Sequence, residues 1–522
     1  MTETAPYSYD EVLYPSHAYK NTRPDKLAAI ARLFGMTAPD FRKSNVLEIG
    51  CASGGNLIPM AAAYPDSRFL GIDMSAKQIE EGQKGVSELG LSNIELRCIS
   101  VTDVDETLGT FDYIIAHGIY SWVPEDVRKK VLEVCSTNLS ENGLAYVSFN
   151  TLPGWNMIKT IRDMMVYHTE RLSDPASKIR QARQILNFAI ENTVGEDSAY
   201  KRVLKTEAEV LKNAADNYLY HDHLEHHNDP CYFHEFMANA AHVGLMYLGD
   251  TSLAAMFLGN HPKRVREILG QIKDIVRREQ YLDFLTNRRF RSTILCHGGV
   301  QLSRAISRDR LEGLYYTSRL VPKEALDTID LSAGKPTKFV NSSNNSTVIV
   351  KSPVSAALLC VLAENYPHPL SVDEVVEKAS ERLNNGSEKT VRRSFMNGAG
   401  NMILKGVFDI ASESGFHTRE VSARPKAWPC AQYMARIKSN IPNALHGNVG
   451  FGGHLKALIK NLDGNRTLDE LFEEFLKDFV TGNLRYLQDE KAITDETELR
   501  PILKEHFRNR LQFLADNAFL VD

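Results

Sequence analysis

The feature that most constrains this chain is an alternation of short apolar runs with amphipathic helical patterns across its first 150 residues. Asn45–Ile49 reads as a buried strand ending at Gly50, and Arg68–Asp73 as a second. Ile94–Ile99, Phe111–Ala116 and Leu144–Phe149 read as three more. Between them the apolar spacing is helical: Leu57, Met60, Ala61 and Tyr64 share one face, and helices are predicted from Ile79 to Leu89 and from Val127 to Leu139. Ahead of the first strand, Pro24 opens a helix with Leu27, Ile30, Ala31 and Phe34 at i, i+3, i+4 and i+7. Strands separated by single helices of this length imply a doubly wound, parallel α/β sheet with right-handed crossovers.

The loop after the first strand carries the chemistry. It runs Glu48-Ile-Gly50-Cys51-Ala-Ser-Gly54-Gly55-Asn56, at the carboxyl end of a parallel strand, where such sheets bind ligands. Gly50 permits the sharp turn. Gly54 and Gly55 let backbone approach a ligand, and the amides opening the next helix face its carboxylate. Asp73 ends the second strand, where an acid accepts the ribose hydroxyls of an adenosine, and Met74 follows it. Thr102 and Asp103 follow the third strand, where the acid meets the adenine amine. Acids at three successive strand ends are a stronger signal than the glycines alone. The nicotinamide fingerprint G-x-G-x-x-G is not matched by Gly50, Gly54 and Gly55.

At 522 residues the chain has room for about three domains. The divisions read here are 1–155, a nucleotide-type domain with an N-terminal arm; 156–335, mainly helical; and 336–522. A formal charge of −5 gives no chain-wide basic balance, so no nucleic-acid partner is expected. The seven cysteines are scattered without a CxxC pair, which suits free thiols in a reducing, cytoplasmic setting. Met1–Tyr9 is polar with no leader pattern, and no apolar run is long enough for a membrane helix.

Residues 330–337 have linker composition. A hairpin is then predicted from Lys338–Val340 and Val348–Val350, followed by helices near 354–365, 371–383 and 387–405 and a strand at 407–410. Together these read as a winged-helix-like unit. Lys389, Arg392 and Arg393 sit on its third helix, where DNA readers place contacts, although such residues more often form a solvated face. His221, His223, His226 and His227, with Asp222, Glu225 and Asp229, allow three uses: metal ligation, structural hydrogen bonding, or contact with an acceptor. Pro230 argues against one continuous helix there, and no metal site is assigned.

The loop E-x-G-x-x-x-G, the ribose acid and the later aspartate resemble the motifs of class I methyltransferases, with Ala52 where many members have glycine. The resemblance extends through Tyr14-Pro-Ser-His17, Pro24-Asp-Lys-Leu27, His117-Gly-Ile-Tyr120-Ser-Trp122, Asn150-Thr-Leu-Pro153-Gly154-Trp155, Tyr218-Leu-Tyr-His221 and Asn287-Arg-Arg-Phe290. These segments resemble bacterial methyltransferases with a regulatory domain, and the whole arrangement is similar to rickettsial protein-lysine methyltransferases that modify an outer-membrane protein.

The resemblance implies a Rossmann-like catalytic domain using S-adenosylmethionine, held by Tyr14, Glu48, Gly50, Cys51, Gly54, Asn56, Asp73, Met74, Thr102, Asp103 and His117. It also implies a protein acceptor, such as a surface or outer-membrane protein before export, and a homodimer. Methyl transfer depends chiefly on positioning. The loops after strands four and five supply His117, Tyr120, Trp122, Asn150 and Trp155 as the candidate acceptor side, and aromatic faces suit a lysine ammonium. Tyr120 would orient the amine and His117 would help remove its proton. Tyr14, His17 and Tyr19 lie on the N-terminal arm, where Tyr14 or His17 is expected to cap the donor. A small-molecule acceptor and a non-enzymatic SAM-binding regulator are the alternatives.

Overall fold

The computed structural model describes residues 11–195, 198–212, 214–331, 335–384, 386–488, 491–493 and 495–522. The segment Met1–Tyr9, and residues 332–334 of the linker, lie outside them.

Helix α1 (Pro24–Leu33) starts on a proline whose fixed φ and missing N–H suit a first helical turn. Then come β1 (Asn45–Ile49), α2 (Leu57–Ala63), β2 (Arg68–Asp73), α3 (Ala76–Glu88), β3 (Ile94–Cys98), β4 (Phe111–Ala116), α4 (Glu125–Thr137) and β5 (Leu139–Asn150). These elements fall where the alternating pattern placed them. Helix α3 is capped by Ser75, whose hydroxyl accepts the Gln78 N–H.

Four helices follow: α5 (Trp155–Thr169), α6 (Pro175–Asn192), α7 (Ala199–Lys212) and α8 (Asp216–Leu224). They form an insertion with its own core of Ile161, Met165, Leu186, Leu204 and Leu219. The chain then returns through α9 (Phe233–His242), β6 (Leu245–Asp250), α10 (Ile275–Thr286) and β7 (Phe290–His297).

The principal sheet has seven strands in the order β3-β2-β1-β4-β5-β7-β6. Strands β1 to β5 are parallel, and β7 runs antiparallel between β5 and β6. The order reverses beside β1, so the switch point lies between β1 and β4, where open α/β sheets bind ligands. Residue 155 therefore does not end the sheet: two strands come from the stretch read as helical. The sequence of β7, Phe-Arg-Ser-Thr-Ile-Leu-Cys-His, hides its burial behind polar residues. Arg291 is fully buried there because the Asp283 carboxylate takes two of its N–H groups at 2.8 Å each, Glu279 lies 3.2 Å away, and its guanidinium stacks on Phe233.

Alternation along the strands divides the core. Val46, Tyr113, Ile115 and Tyr146 face a cluster that continues into the C-terminal region, through Tyr316, Trp428 and Phe519. Leu47, Ile114, Val147 and Leu295 face the other side, under α4 and α9.

In the C-terminal region, helices Pro353–Asn365, Val372–Arg382 and Glu388–Leu404 lie where expected. They carry a three-stranded sheet of Leu370–Ser371, Tyr315–Thr317 and Asp409–Ala411. The expected hairpin forms from Thr337–Asn341 and Thr347–Val350. Arg392 pairs with Glu312 at 3.2 Å and with Asp373, so that basic side chain is turned to the protein's own acids. A further unit follows: helices Pro429–Ile437, Gly453–Ile459, Leu468–Val480 and Glu496–Asp516, with hairpins Asn440–Pro442/Asn448–Gly450 and Tyr486–Gln488/Lys491–Ile493.

Candidate active site

A cavity of about 910 Å³ opens at the switch point. Its floor is the loop after β1, and its far wall is the helical insertion. The backbone there takes the shape that glycine allows. Gly50 has φ +72°, and a Cβ on it would lie 2.9 Å from Ile119 Cδ1. Ala52 occupies the left-handed region at φ +49°, a conformation that costs a non-glycine residue about 1–2 kcal/mol. Its N–H donates to Asp73 Oδ2 at 2.9 Å, while Asp73 Oδ1 accepts the Ser75 N–H at 2.9 Å. The carboxylate at the end of β2 is thus oriented by backbone amides on both sides.

Glu48 is buried beside it. Its Oε1 accepts from Asn56 Nδ2 at 2.7 Å, and its Oε2 has no hydrogen-bond partner among the described residues. Desolvation, with Asp73 nearby, pushes its pKa up to about 8. An orphaned carboxylate oxygen on the wall of a cavity fits a cationic ligand.

The N-terminal arm forms the roof. Gly55 donates its N–H to Ser16 Oγ at 2.7 Å, and a Cβ at Gly55 would lie 2.4 Å from the Ser16 carbonyl oxygen. Tyr14, His17 and Tyr19 line the same cavity. The Tyr19 ring lies 3.8 Å from that of His117, and burial raises its pKa to about 12.

Of the expected donor residues, Tyr14, Glu48, Gly50, Cys51, Asn56, Asp73, Met74 and His117 line the cavity. Gly54 turns beneath the loop at φ +71°, packed on Ile58. Thr102 and Asp103 are exposed on a short turn after β3, and the cavity instead meets Ile99 and Val101 there.

Of the residues expected on the acceptor side, Trp122, Asn150 and Trp155 line the cavity, with the two indoles edge to face at 6.3 Å. Trp155 Nε1 donates to Asn228 Oδ1 at 2.7 Å, and Asn150 Nδ2 is buried without a partner among the described residues. Tyr120 is elsewhere: it is 2% exposed and packs against Phe149 and Phe236 on the covered face of the sheet. It does not orient an acceptor. His117 does line the cavity, yet burial lowers its pKa to about 4, and its Nδ1 sits 2.9 Å from the Tyr146 hydroxyl and 3.2 Å from Ser148 Oγ. Such a neutral, occupied imidazole is a poor base.

Residues that spacing did not single out complete the wall. Tyr218 and Asp222 come from α8, and Arg289 and Phe290 from the start of β7. Burial pushes the Asp222 pKa up to about 6, which leaves it largely ionised at neutral pH. The signal for Asp222 was its place between His221 and His223. Those two imidazoles also line the cavity, with His221 Nε2 2.7 Å from the Val12 carbonyl and His223 Nε2 3.1 Å from Glu207 Oε1.

Three domain families match. One described as a methyltransferase domain covers residues 46–143, a predicted methyltransferase regulatory domain covers 215–297, and a PKMT C-terminal winged helix domain covers 423–519. An uncharacterized protein of Rickettsia prowazekii is 40% identical over 98% of this chain and 93% of its own length. The chain belongs to the class I methyltransferases that carry this regulatory domain. The solved structure of PKMT2 from Rickettsia typhi superposes with a TM-score of 0.89 at 35% identity, covering 98% of this chain and all of that one. The same protein in complex with AdoHcy matches at 0.89 and 34%. The enzyme uses S-adenosylmethionine as methyl donor. The winged helix of the family lies at 423–519, later than the unit read as winged-helix-like from sequence. Among the described residues no helix is long and apolar enough to cross a membrane.

Proposed function

We propose that this methyltransferase modifies the side-chain amine of lysine in a protein acceptor. The observation that carries the reading is the lining of one cavity by Trp122, Trp155 and a largely ionised Asp222 together with Glu48 and Asp73, the Arg162 guanidinium lying over the Trp122 ring at 5.6 Å. Indole faces attract an ammonium group, and a half-buried carboxylate adds an opposite charge. The likeness to PKMT2, a protein lysine methyltransferase, supports the same acceptor.

The donor supplies a methyl group on a sulfonium, ready for displacement by a neutral nucleophile. Glu48 would hold the donor's ammonium and Asp73 its ribose. The arm residues Tyr14, His17 and Tyr19 exclude water from above. A lysine amine with an ordinary pKa near 10.4 must lose a proton before it attacks. The apolar wall of Ile119, Val123 and Val127 desolvates the ammonium and lowers that pKa. Asp222 then takes the proton on a carboxylate oxygen. Burial makes it a better acceptor than an ordinary aspartate, and His117 stays neutral as a packing surface for Tyr19. Asn150 Nδ2 donates to a carbonyl of the acceptor segment.

The test separates the two halves of the cavity. Asp222→Asn and Trp155→Ala should each cut methyl transfer to protein by about 100-fold or more. S-adenosylhomocysteine affinity, measured by calorimetry, should stay near the parent value. Unchanged protein methylation in both variants would remove the acceptor assignment.

A further inference from the structure

One set of buried polar groups has no part in that mechanism: those that the C-terminal winged helix domain inserts behind the glycine loop. His446 lies in the turn between Asn440–Pro442 and Asn448–Gly450, almost fully buried, with φ +63°. A non-glycine residue holds such a conformation only where its surroundings enforce it. Its Nε2 is 2.8 Å from Asn56 Oδ1. The Tyr19 N–H donates to that same atom at 2.9 Å. A backbone amide can only donate, so the Asn56 atom is the oxygen and His446 Nε2 carries the hydrogen. Asn56 Nδ2 is thereby turned to Glu48 Oε1, at 2.7 Å. Two more bonds reach the arm from the same domain. Lys438 Nζ donates to the Ser16 carbonyl at 2.9 Å, and Asn448 Nδ2 donates to the Ala18 carbonyl at 2.7 Å.

We propose that the winged helix domain completes the methyl-donor site, with His446 as a positioning residue for Glu48. The path has two bonds. His446 fixes the Asn56 carboxamide, and the carboxamide fixes one oxygen of the cavity-lining Glu48, leaving the second without a partner among the described residues. Without His446, Asn56 Oδ1 keeps the Tyr19 N–H and the Thr22 hydroxyl, and Nδ2 keeps Thr22 and Glu48, with no bond left to the C-terminal domain. Lys438 and Asn448 tie the arm's backbone to that same domain. The donor site is therefore built from both ends of the chain, although the methyltransferase domain match spans only 46–143. This inference rests on the donor site alone, so its outcome is independent of which acceptor is methylated.

The experiment is calorimetric titration of the full-length protein with S-adenosylhomocysteine, after thermal unfolding has verified that each variant is folded. His446→Ala should weaken binding about tenfold, as expected for loss of one buried hydrogen bond that orders a carboxylate. His446→Gln, whose amide N–H can stand in for Nε2–H, should stay within about threefold of the parent. Lys438→Met should speed product dissociation in stopped-flow by about tenfold, because it frees the arm. Parent-like affinity in folded His446→Ala would overturn the proposal, as would equal losses in the Ala and Gln variants. If His446→Ala does not fold, an unchanged dissociation rate in Lys438→Met overturns it instead.

Discussion

Glu48 shows how one side chain is read differently by spacing and by burial. Its position two residues before Gly50 marks it as a donor contact; its desolvation sets its protonation. With a pKa near 8 it holds its proton at pH 7 in the free protein, and a cationic donor favours the ionised form. Donor binding at pH 7 should therefore release a proton, read as a dependence of the calorimetric enthalpy on buffer ionisation. Glu48→Gln should abolish that release and weaken binding. Asp222 sets a second pH effect. In the proposed mechanism its carboxylate is the reactive form, and burial raises its pKa to about 6, so kcat/KM should fall as pH drops through 6. That limb should vanish in Asp222→Asn. Glu48, Gly50 and Asp73 were legible in the sequence because chemistry fixes their distance from strand ends. Tyr120 was not: an aromatic after β4 has the same spacing whether it faces the cavity or packs on Phe236, and only the loop's path decides.

Elements differ in the same way. Strands β1, β2, β4 and β5 announce themselves because both of their faces are largely apolar and buried, while the edge strand β3 alternates buried and exposed residues. Strand β7 does not, since its buried Arg291 reads as surface until Asp283 and Glu279 are seen around it. Removing that arginine strands two buried acids, whose pKa values burial already raises. Arg291→Met should cost about 3–5 kcal/mol, seen as a lower midpoint in thermal or urea unfolding. The winged-helix character read in the C-terminal region is present, and the family's winged helix domain is matched at 423–519, beyond the three helices and small sheet at 315–411.

At the scale of the whole molecule, the cavity is shared among regions distant in sequence. The glycine loop, the arm, the helical insertion and β7 each contribute a wall, and His446 braces the loop from behind. Part of the donor half was legible because the glycine loop and Asp73 sit at fixed places on strand ends. The half proposed for the acceptor joins the strand-end loops 117–123 and 150–158, read from the sequence, to 207–223, which no strand-end rule reaches. The central claim concerns what that half receives. It is tested most directly by incubating the enzyme with methyl-labelled S-adenosylmethionine and a mixture of cellular and surface proteins, then locating the label by tandem mass spectrometry. Methyl groups on lysine side-chain nitrogens, absent when Asp73→Ala replaces the parent enzyme, are the expected result. Label confined to small molecules, or to side chains other than lysine, would contradict it.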